Sequence, residues 1–297
     1  MSRATTPNRV CSLLGIEYPL LMGAITPEPE LGALVTKAGG LGCIEGIAAP
    51  ETLRDQIRRF RKLSDGPFSV NFPIAFGSAD TVQARARVAI EERVPVVITS
   101  AGSPRLFTEL FKEHGILVGH VVAELAHARK AAESGVDVLI AEPTESGGYR
   151  GANEISMMVL IPAIARALPQ VPLVAAGTVV DRAGMVAVTA LGAEGVWLGT
   201  RLIATEEGRA SFGEHYHELI LAADDTSTMS STGKTRPRVT RPEFVESVLG
   251  TRTKRVQMGQ AAALIDHIPT LAEVFDELFA GAHTHAKDVA ARLDFGS

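Results

Sequence analysis

The densest chemical constellation in the chain is Glu142-Pro-Thr-Glu145-Ser-Gly-Gly-Tyr149-Arg150-Gly151, directly after the apolar run 137–141. Glu145 offers an acceptor, Tyr149 a phenol and Arg150 a cation. Between them Gly147 and Gly148 let backbone approach a flat ligand. A second pattern is a pair of glycine turns, Gly177-Thr178 after Pro172-Leu-Val-Ala-Ala176 and Gly199-Thr200 after Gly195-Val-Trp-Leu198. Glycine lets N–H groups close on an anion, and a helix N-terminus adds favourable potential, so the two turns read as a phosphate grip. His120 closes another apolar run and is a candidate to point into the same site. His215 and His217 lie two apart in a helical stretch and do not share a face. No His, Cys and carboxylate grouping has metal-ligand spacing, so no metal is expected.

Eight short apolar runs supply the elements that would position these groups: residues 19–23, 42–45, 68–72, 95–99, 116–120, 137–141, 172–176 and 195–199. Runs of this kind, without polar alternation, suit parallel strands covered on both faces. Helical patterns at 51–62, 81–92, 125–134 and 182–191 lie between them. Strict alternation over eight repeats predicts an α/β fold, a (β/α)8 TIM barrel with a small C-terminal helical cap. The expected division is a barrel over 1–207, a helical and loop cap over the active site at 208–255, and closing helices at 256–297. Asp181 is expected to cap the helix after the seventh strand and Gly192 to end it. Pro162 is expected within the first turns of its helix, with Ser156 as N-cap. That leaves 147–153 as a long loop at the carboxyl end of the sixth strand, the active-site face of a barrel. Beyond residue 205 a helix is expected at about 206–222 and a polar loop at 224–241. The loop carries Lys234, Arg236, Arg238 and Arg241, which could meet the phosphate of a dinucleotide, CoA or carrier.

Composition narrows the function classes. With 297 residues, 46% of them apolar, the chain can bury one large core, and a net charge of −5 gives no reason to expect nucleic acid as a partner. Cys11 and Cys43 read as packed thiols in a reducing compartment. The first residues lack the apolar core of a signal peptide, and no long apolar window offers a membrane span. A cytoplasmic protein with no membrane partner is the expectation.

Taken together the motifs resemble the family of FMN-dependent TIM-barrel oxidoreductases that contains nitronate monooxygenase (2-nitropropane dioxygenase), FMN-dependent enoyl-ACP reductase and NADH:quinone reductase. The carriers are Met22-Gly-Ala24, Ala38-Gly-Gly-Leu-Gly42, Val70-Asn71, 142–151, Ala175-Ala-Gly177, 191–205 and Met258-Gly-Gln260, so the likeness spans about residues 18–280. The resemblance implies FMN as cofactor. Met22, Gly23 and Ala24 would line its ring through backbone, Asn71 would bond the ring's polar edge, and Gly147 and Gly148 would border it. Gly177, Thr178, Gly199 and Thr200 would hold the phosphate through amides and the threonine hydroxyl, with Ala176 also among the cofactor-binding residues and Gln260 beside the cofactor. The implied activity is oxidation of alkyl nitronates by O2, with Tyr149, His120 and Glu145 as catalytic candidates. The alternative is an NAD(P)H-dependent reductase of enoyl thioesters or quinones, with Arg150, Arg236 and Arg238 as substrate or dinucleotide contacts. A third reading is a flavin-free phosphate-binding barrel. A small-molecule or acyl-thioester substrate is implied, and a homodimer is compatible with it.

Two departures stand out. Gly177-Thr178 replaces the family's Gly-Gly, and Tyr149 stands where the Glu-Ala-Gly-Gly-His-Arg-Gly pattern has histidine. A phenol, with an ordinary pKa of about 10, is a poor base at neutral pH but a serviceable donor.

Overall fold

Runs rich in Val, Ile and Leu have no face that prefers water, and all eight form strands with helices outside and packed side chains inside. The computed structural model describes residues 8–232 and 236–294. The strands are β1 (Leu20–Met22), β2 (Gly42–Glu45), β3 (Phe68–Pro73), β4 (Val96–Ser100), β5 (Leu117–Val122), β6 (Val138–Ala141), β7 (Leu173–Ala176) and β8 (Gly195–Leu198). Each pairs in parallel with its sequence neighbour from β2 to β8, and β8 pairs with β1. Between β1 and β2 a bridge at Leu21 and Leu41 closes the ring, with Met22 N–H donating to Leu41 O at 2.9 Å and Leu41 N–H to Leu20 O at 2.8 Å. The architecture is the TIM barrel that the alternation predicts.

Strand side chains alternate between the two layers. Leu21, Ile98, Ile140 and Val174 form one cluster inside the barrel, while Leu20, Val70, Val118 and Leu139 join the core between strands and helices. The helix Arg9–Leu14, which the apolar alternation does not foreshadow, adds Val10 and Leu14 to the inner cluster. Asn8 caps it and Arg9 pairs with Glu194 just ahead of β8.

Helix ends follow local chemistry. Asp181 accepts the Gly184 N–H at 2.8 Å, and Gly192 takes φ +109° to end Arg182–Leu191. Pro162 lies in the second turn of Met157–Ala167, within the first turns as expected, and Ser156 is the N-cap. The turn it interrupts carries Met158 and Val159, both largely exposed, so water can serve the backbone carbonyl that loses its partner.

The segment after β8 differs more. The expected helix at 206–222 is broken at Gly213, φ +77°, into Arg209–Phe212 and Glu214–Leu221. The expected polar loop at 224–241 contains an antiparallel ribbon, β9 (Thr228–Ser230) with β10 (Arg238–Thr240). Lys234 lies outside the described residues. The C-terminal helices Leu271–Phe279 and Ala282–Arg292 dock on Arg182–Leu191. Among the described residues no helix is long and apolar enough to cross a membrane.

Candidate functional site

Alternation along the strands decides which residues reach the mouth at their carboxyl ends. On β3 the outward set is Phe68, Val70 and Phe72, so Asn71 points inward, beside its register partner Glu45 on β2. Asn71 donates from Nδ2 to Ile98 O at 3.2 Å and to Ser100 Oγ at 3.3 Å, across to β4. Ala176 belongs to the inner cluster, and its register partner Trp197 packs against that cluster. A Cβ at Gly23 would stand 2.5 Å from Trp197 Nε1, so glycine is required for β1 to pass the indole. Met22 turns its side chain into the helix-facing core, which leaves its backbone as the part available to a ligand; Ala24 packs on that same core.

The two glycine turns are built to present hydrogen-bond donors. Gly177 has φ +109°, and a Cβ there would meet Pro143 at 2.9 Å. The next residue, Thr178, carries a buried Oγ1 with no hydrogen-bond partner. Gly199 precedes the short helix Thr200–Ile203, and Thr200 Oγ1 accepts the Gly259 N–H at 3.1 Å, which leaves its own hydrogen free to donate. An orphaned hydroxyl between a positive-φ glycine and a helix start fits an anionic group.

The loop after β6 is held from three sides. Glu145, expected to be catalytic, instead accepts the Met157 N–H through both oxygens, at 3.1 and 3.2 Å. It thereby serves the start of the helix whose N-cap, Ser156, makes no side-chain capping bond. The backbone O of Glu145 accepts the Gln260 N–H at 2.9 Å. Gly147 and Gly148 owe their identity to the strap 257–259: a Cβ would meet Gly259 N at 2.6 Å from the first and Gln257 Oε1 at 2.9 Å from the second. Arg150 donates to Thr144 O at 2.7 Å, Thr144 Oγ1 at 2.8 Å and Ser230 Oγ at 2.6 Å. Arg238 exchanges backbone bonds with Gly148 and donates from its side chain to Thr144 O at 3.1 Å and Thr228 Oγ1 at 3.1 Å. These two arginines, expected at substrate, are both engaged in fastening the loop to the ribbon. Arg236 is exposed, 4.0 Å from Glu154.

Tyr149 rises from this loop 44% exposed, its ring edge-on to Phe76 at 5.1 Å. Phe76 follows β3, so the pair links the β6 side of the mouth with the β3 side. The Tyr149 hydroxyl makes no hydrogen bond to the described residues.

His120 does not reach the mouth. Its register partner Leu139 and its neighbours Val118 and Val122 all face the helices, and His120 faces with them, 4% exposed and 2.7 Å from Thr99 Oγ1. Burial pushes its pKa down to about 4, His127 adding to the effect and the Thr99 contact opposing it. This corrects the expectation of a catalytic histidine. His217 is likewise structural, bonded through Nε2 to Ile203 O at 2.8 Å. Among the described residues no group of His, Cys, Asp and Glu could hold a metal ion.

Glu142 continues β6 by one residue, its N–H donating to Val122 O at 2.8 Å. Val138 and Ile140 point inward, so Glu142 does too. Burial holds its pKa up at about 8, against the pull of Arg150. Burial also raises Glu45.

The description of nitronate monooxygenases as a family matches residues 8–292. The chain belongs to the nitronate monooxygenase family. It is similar to a probable nitronate monooxygenase of Staphylococcus saprophyticus, 30% identical over 273 residues that cover 76% of each chain. It is also similar to the (3aS,4S,5R,7aS)-5-hydroxy-7a-methyl-1-oxo-octahydro-1H-indene-4-carboxyl-CoA dehydrogenase of Mycobacterium tuberculosis, 31% identical over 272 residues, 88% of this chain and 72% of that one. Among solved structures, FabK of Thermotoga maritima superposes with a TM-score of 0.84 at 33% identity, covering 97% of this chain and 99% of that one. As a member of this family the chain is an enzyme, an oxidoreductase.

The structure brings Asn71, Ala176 and the two glycine turns to the strand ends and sets Tyr149 against Phe76 beyond β3, and it sends His120 outward. Sequence reasoning missed Trp197 as a mouth residue, although its place two residues before Gly199 puts both on the same strand face. It quoted Glu142 within a motif without giving it a role.

Proposed function

We propose that this chain is an FMN-dependent oxidoreductase whose substrate is held at the barrel mouth beneath Tyr149. The buried Thr178 hydroxyl without a partner supports the cofactor most directly, since it follows the positive-φ Gly177 and can donate to a phosphate oxygen. Gly177, Thr178, Gly199 and Thr200 would hold that phosphate, and Met22 to Ala24, Asn71 and Ala176 the ring. FMN, when bound, supplies the hydride and electron transfer that no side chain can supply.

The substrate reading favoured by the whole-chain likeness to FabK is NAD(P)H-dependent reduction of an enoyl thioester. The mouth suits it, because none of the expected bases is available to deprotonate a substrate: His120 faces away and the Glu145 carboxylate serves an amide. Tyr149 would donate a hydrogen bond to the substrate oxygen as negative charge develops there. A second reading, oxidation of alkyl nitronates by O2, is favoured by the family itself. It too needs no base, because a nitronate is already an anion, and little turnover of neutral nitroethane is expected at pH 7.

Anaerobic stopped-flow absorbance of the FMN-loaded protein separates the readings. Rapid bleaching of the oxidised-flavin band by NADH or NADPH selects the reductase, and bleaching by ethylnitronate alone selects nitronate oxidation. A purified protein that takes up no FMN would reject both. The unpaired cysteines Cys11 and Cys43 support a reducing, cytoplasmic setting.

A further inference from the structure

We propose that Glu142 is the proton donor of this mouth, delivering a proton to the substrate carbon next to the thioester carbonyl. The proposal deepens the reductase reading and rests on it.

Geometry carries the assignment. The Glu142 backbone extends the β6 ladder, and the inward parity of Val138 and Ile140 aims the side chain into the mouth. The carboxyl is half-buried and makes no hydrogen bond to the described residues, unlike Glu145, whose oxygens hold the Met157 amide. The charged and titratable groups beside it are Arg150, Glu145 and Tyr149 on its own loop and Arg238 on β10, which bonds the same loop at Thr144. Arg150 favours the ionised form but is tied to Thr144 and Ser230, and it makes no bond to Glu142. Arg238 is bonded to Thr144 and Thr228. Burial therefore prevails and the acid form persists to about pH 8. A carboxylic acid kept neutral at physiological pH, unbonded and on the inward face at the strand end, is a proton donor held ready.

The step balances. FMN, when bound, would supply the hydride equivalent, drawn from NAD(P)H, that makes a C–H bond at the β-carbon of the enoyl thioester. The π electrons shift toward the carbonyl oxygen, where Tyr149 can donate a hydrogen bond. The Glu142 O–H bond then breaks as a second C–H bond forms at the α-carbon, and solvent returns a proton to the carboxylate.

Glu142→Gln and Tyr149→Phe test this with two readouts. Infrared difference spectra of cofactor-free protein should show a protonated carboxyl band at pH 7 that fades near pH 8 and is missing in Glu142→Gln. In FMN-loaded protein, Glu142→Gln should bind FMN as the parent does, yet lose about 100-fold in kcat at pH 7, in the range removed with a general acid, along with the fall in rate above pH 8. Tyr149→Phe should keep that fall. An ionised Glu142 at pH 7, or a Glu142→Gln enzyme with the parent's rate and pH profile, overturns the proposal. Failure of the parent to bind FMN overturns the reading beneath it, and the infrared titration, which needs no cofactor, tells the two failures apart.

Discussion

Thr178 separates folding from binding at a single atom. A buried hydroxyl left without a partner costs about 1–3 kcal/mol, and valine fills nearly the same volume without one. Thr178→Val is therefore expected to keep or raise the Tm of the cofactor-free protein while weakening FMN binding about tenfold, roughly 1.4 kcal/mol. Calorimetric melting and fluorescence titration with FMN check the two halves; a lower Tm with unchanged FMN affinity would reject the role assigned to the hydroxyl. The two glycine turns were legible because glycine beside threonine at a strand end has few purely structural uses. His120 was not. In a run apolar on both faces, nothing tells which parity turns inward, and only the register with Leu139 shows that His120 faces the helices. Glu145 escaped for a related reason: its amide partner, Met157, lies twelve residues on, across a loop whose return path no local pattern records.

The strands and their helices were readable element by element because each satisfies its own pattern: short apolar runs, capped amphipathic helices and glycine stops. The ribbon β9–β10 satisfies no such pattern. Its three-residue strands are mostly polar, and what orders them is pairing with distant backbone, Arg238 with Gly148 and Val239 with Gln257, together with the Arg150 side chain. Loop, ribbon and strap thus form one unit around Tyr149, and its fasteners can be removed one at a time. Arg150→Met leaves Thr144 O and Ser230 Oγ without their cationic donor. Trypsin should then cut faster after Arg238, within the ribbon, while the far-ultraviolet circular dichroism of the barrel persists; unchanged cleavage kinetics would show that the ribbon holds itself. Gly147→Ala attacks the same unit sterically, because the added carbon would stand 2.6 Å from Gly259 N. A loss of about 1–3 kcal/mol is expected in urea unfolding, since backbone has to move to admit it.

Across the whole molecule, a buried histidine and a half-buried carboxyl tilt stability against pH in opposite directions. His120 is depressed from 6.5 to about 4, so its contribution is present above pH 6.5 and lost as pH falls toward 4. Glu142 is raised from 4.5 to about 8, so its contribution is present below pH 4.5 and lost as pH rises toward 8. Between 4.5 and 6.5 the slopes oppose and largely cancel, and above 6.5 only Glu142 acts of the two. At about 1.4 kcal/mol per unit, unfolding free energy should fall by about 2 kcal/mol between pH 6.5 and 8. His267, raised by its surface contacts with Asp266 and Glu277, slopes the same way there, but solvent screens an exposed pair and its share is small. Urea unfolding of Glu142→Gln over that window isolates the carboxyl, because His267 titrates equally in both proteins. The variant should lose most of the decline, and His120→Asn should leave the decline intact while flattening the acid limb. A parent and a Glu142→Gln variant with parallel curves above pH 6.5 would mean that the carboxyl at the mouth is already ionised, and the barrel would then meet its substrate with a negative charge where a proton donor is required.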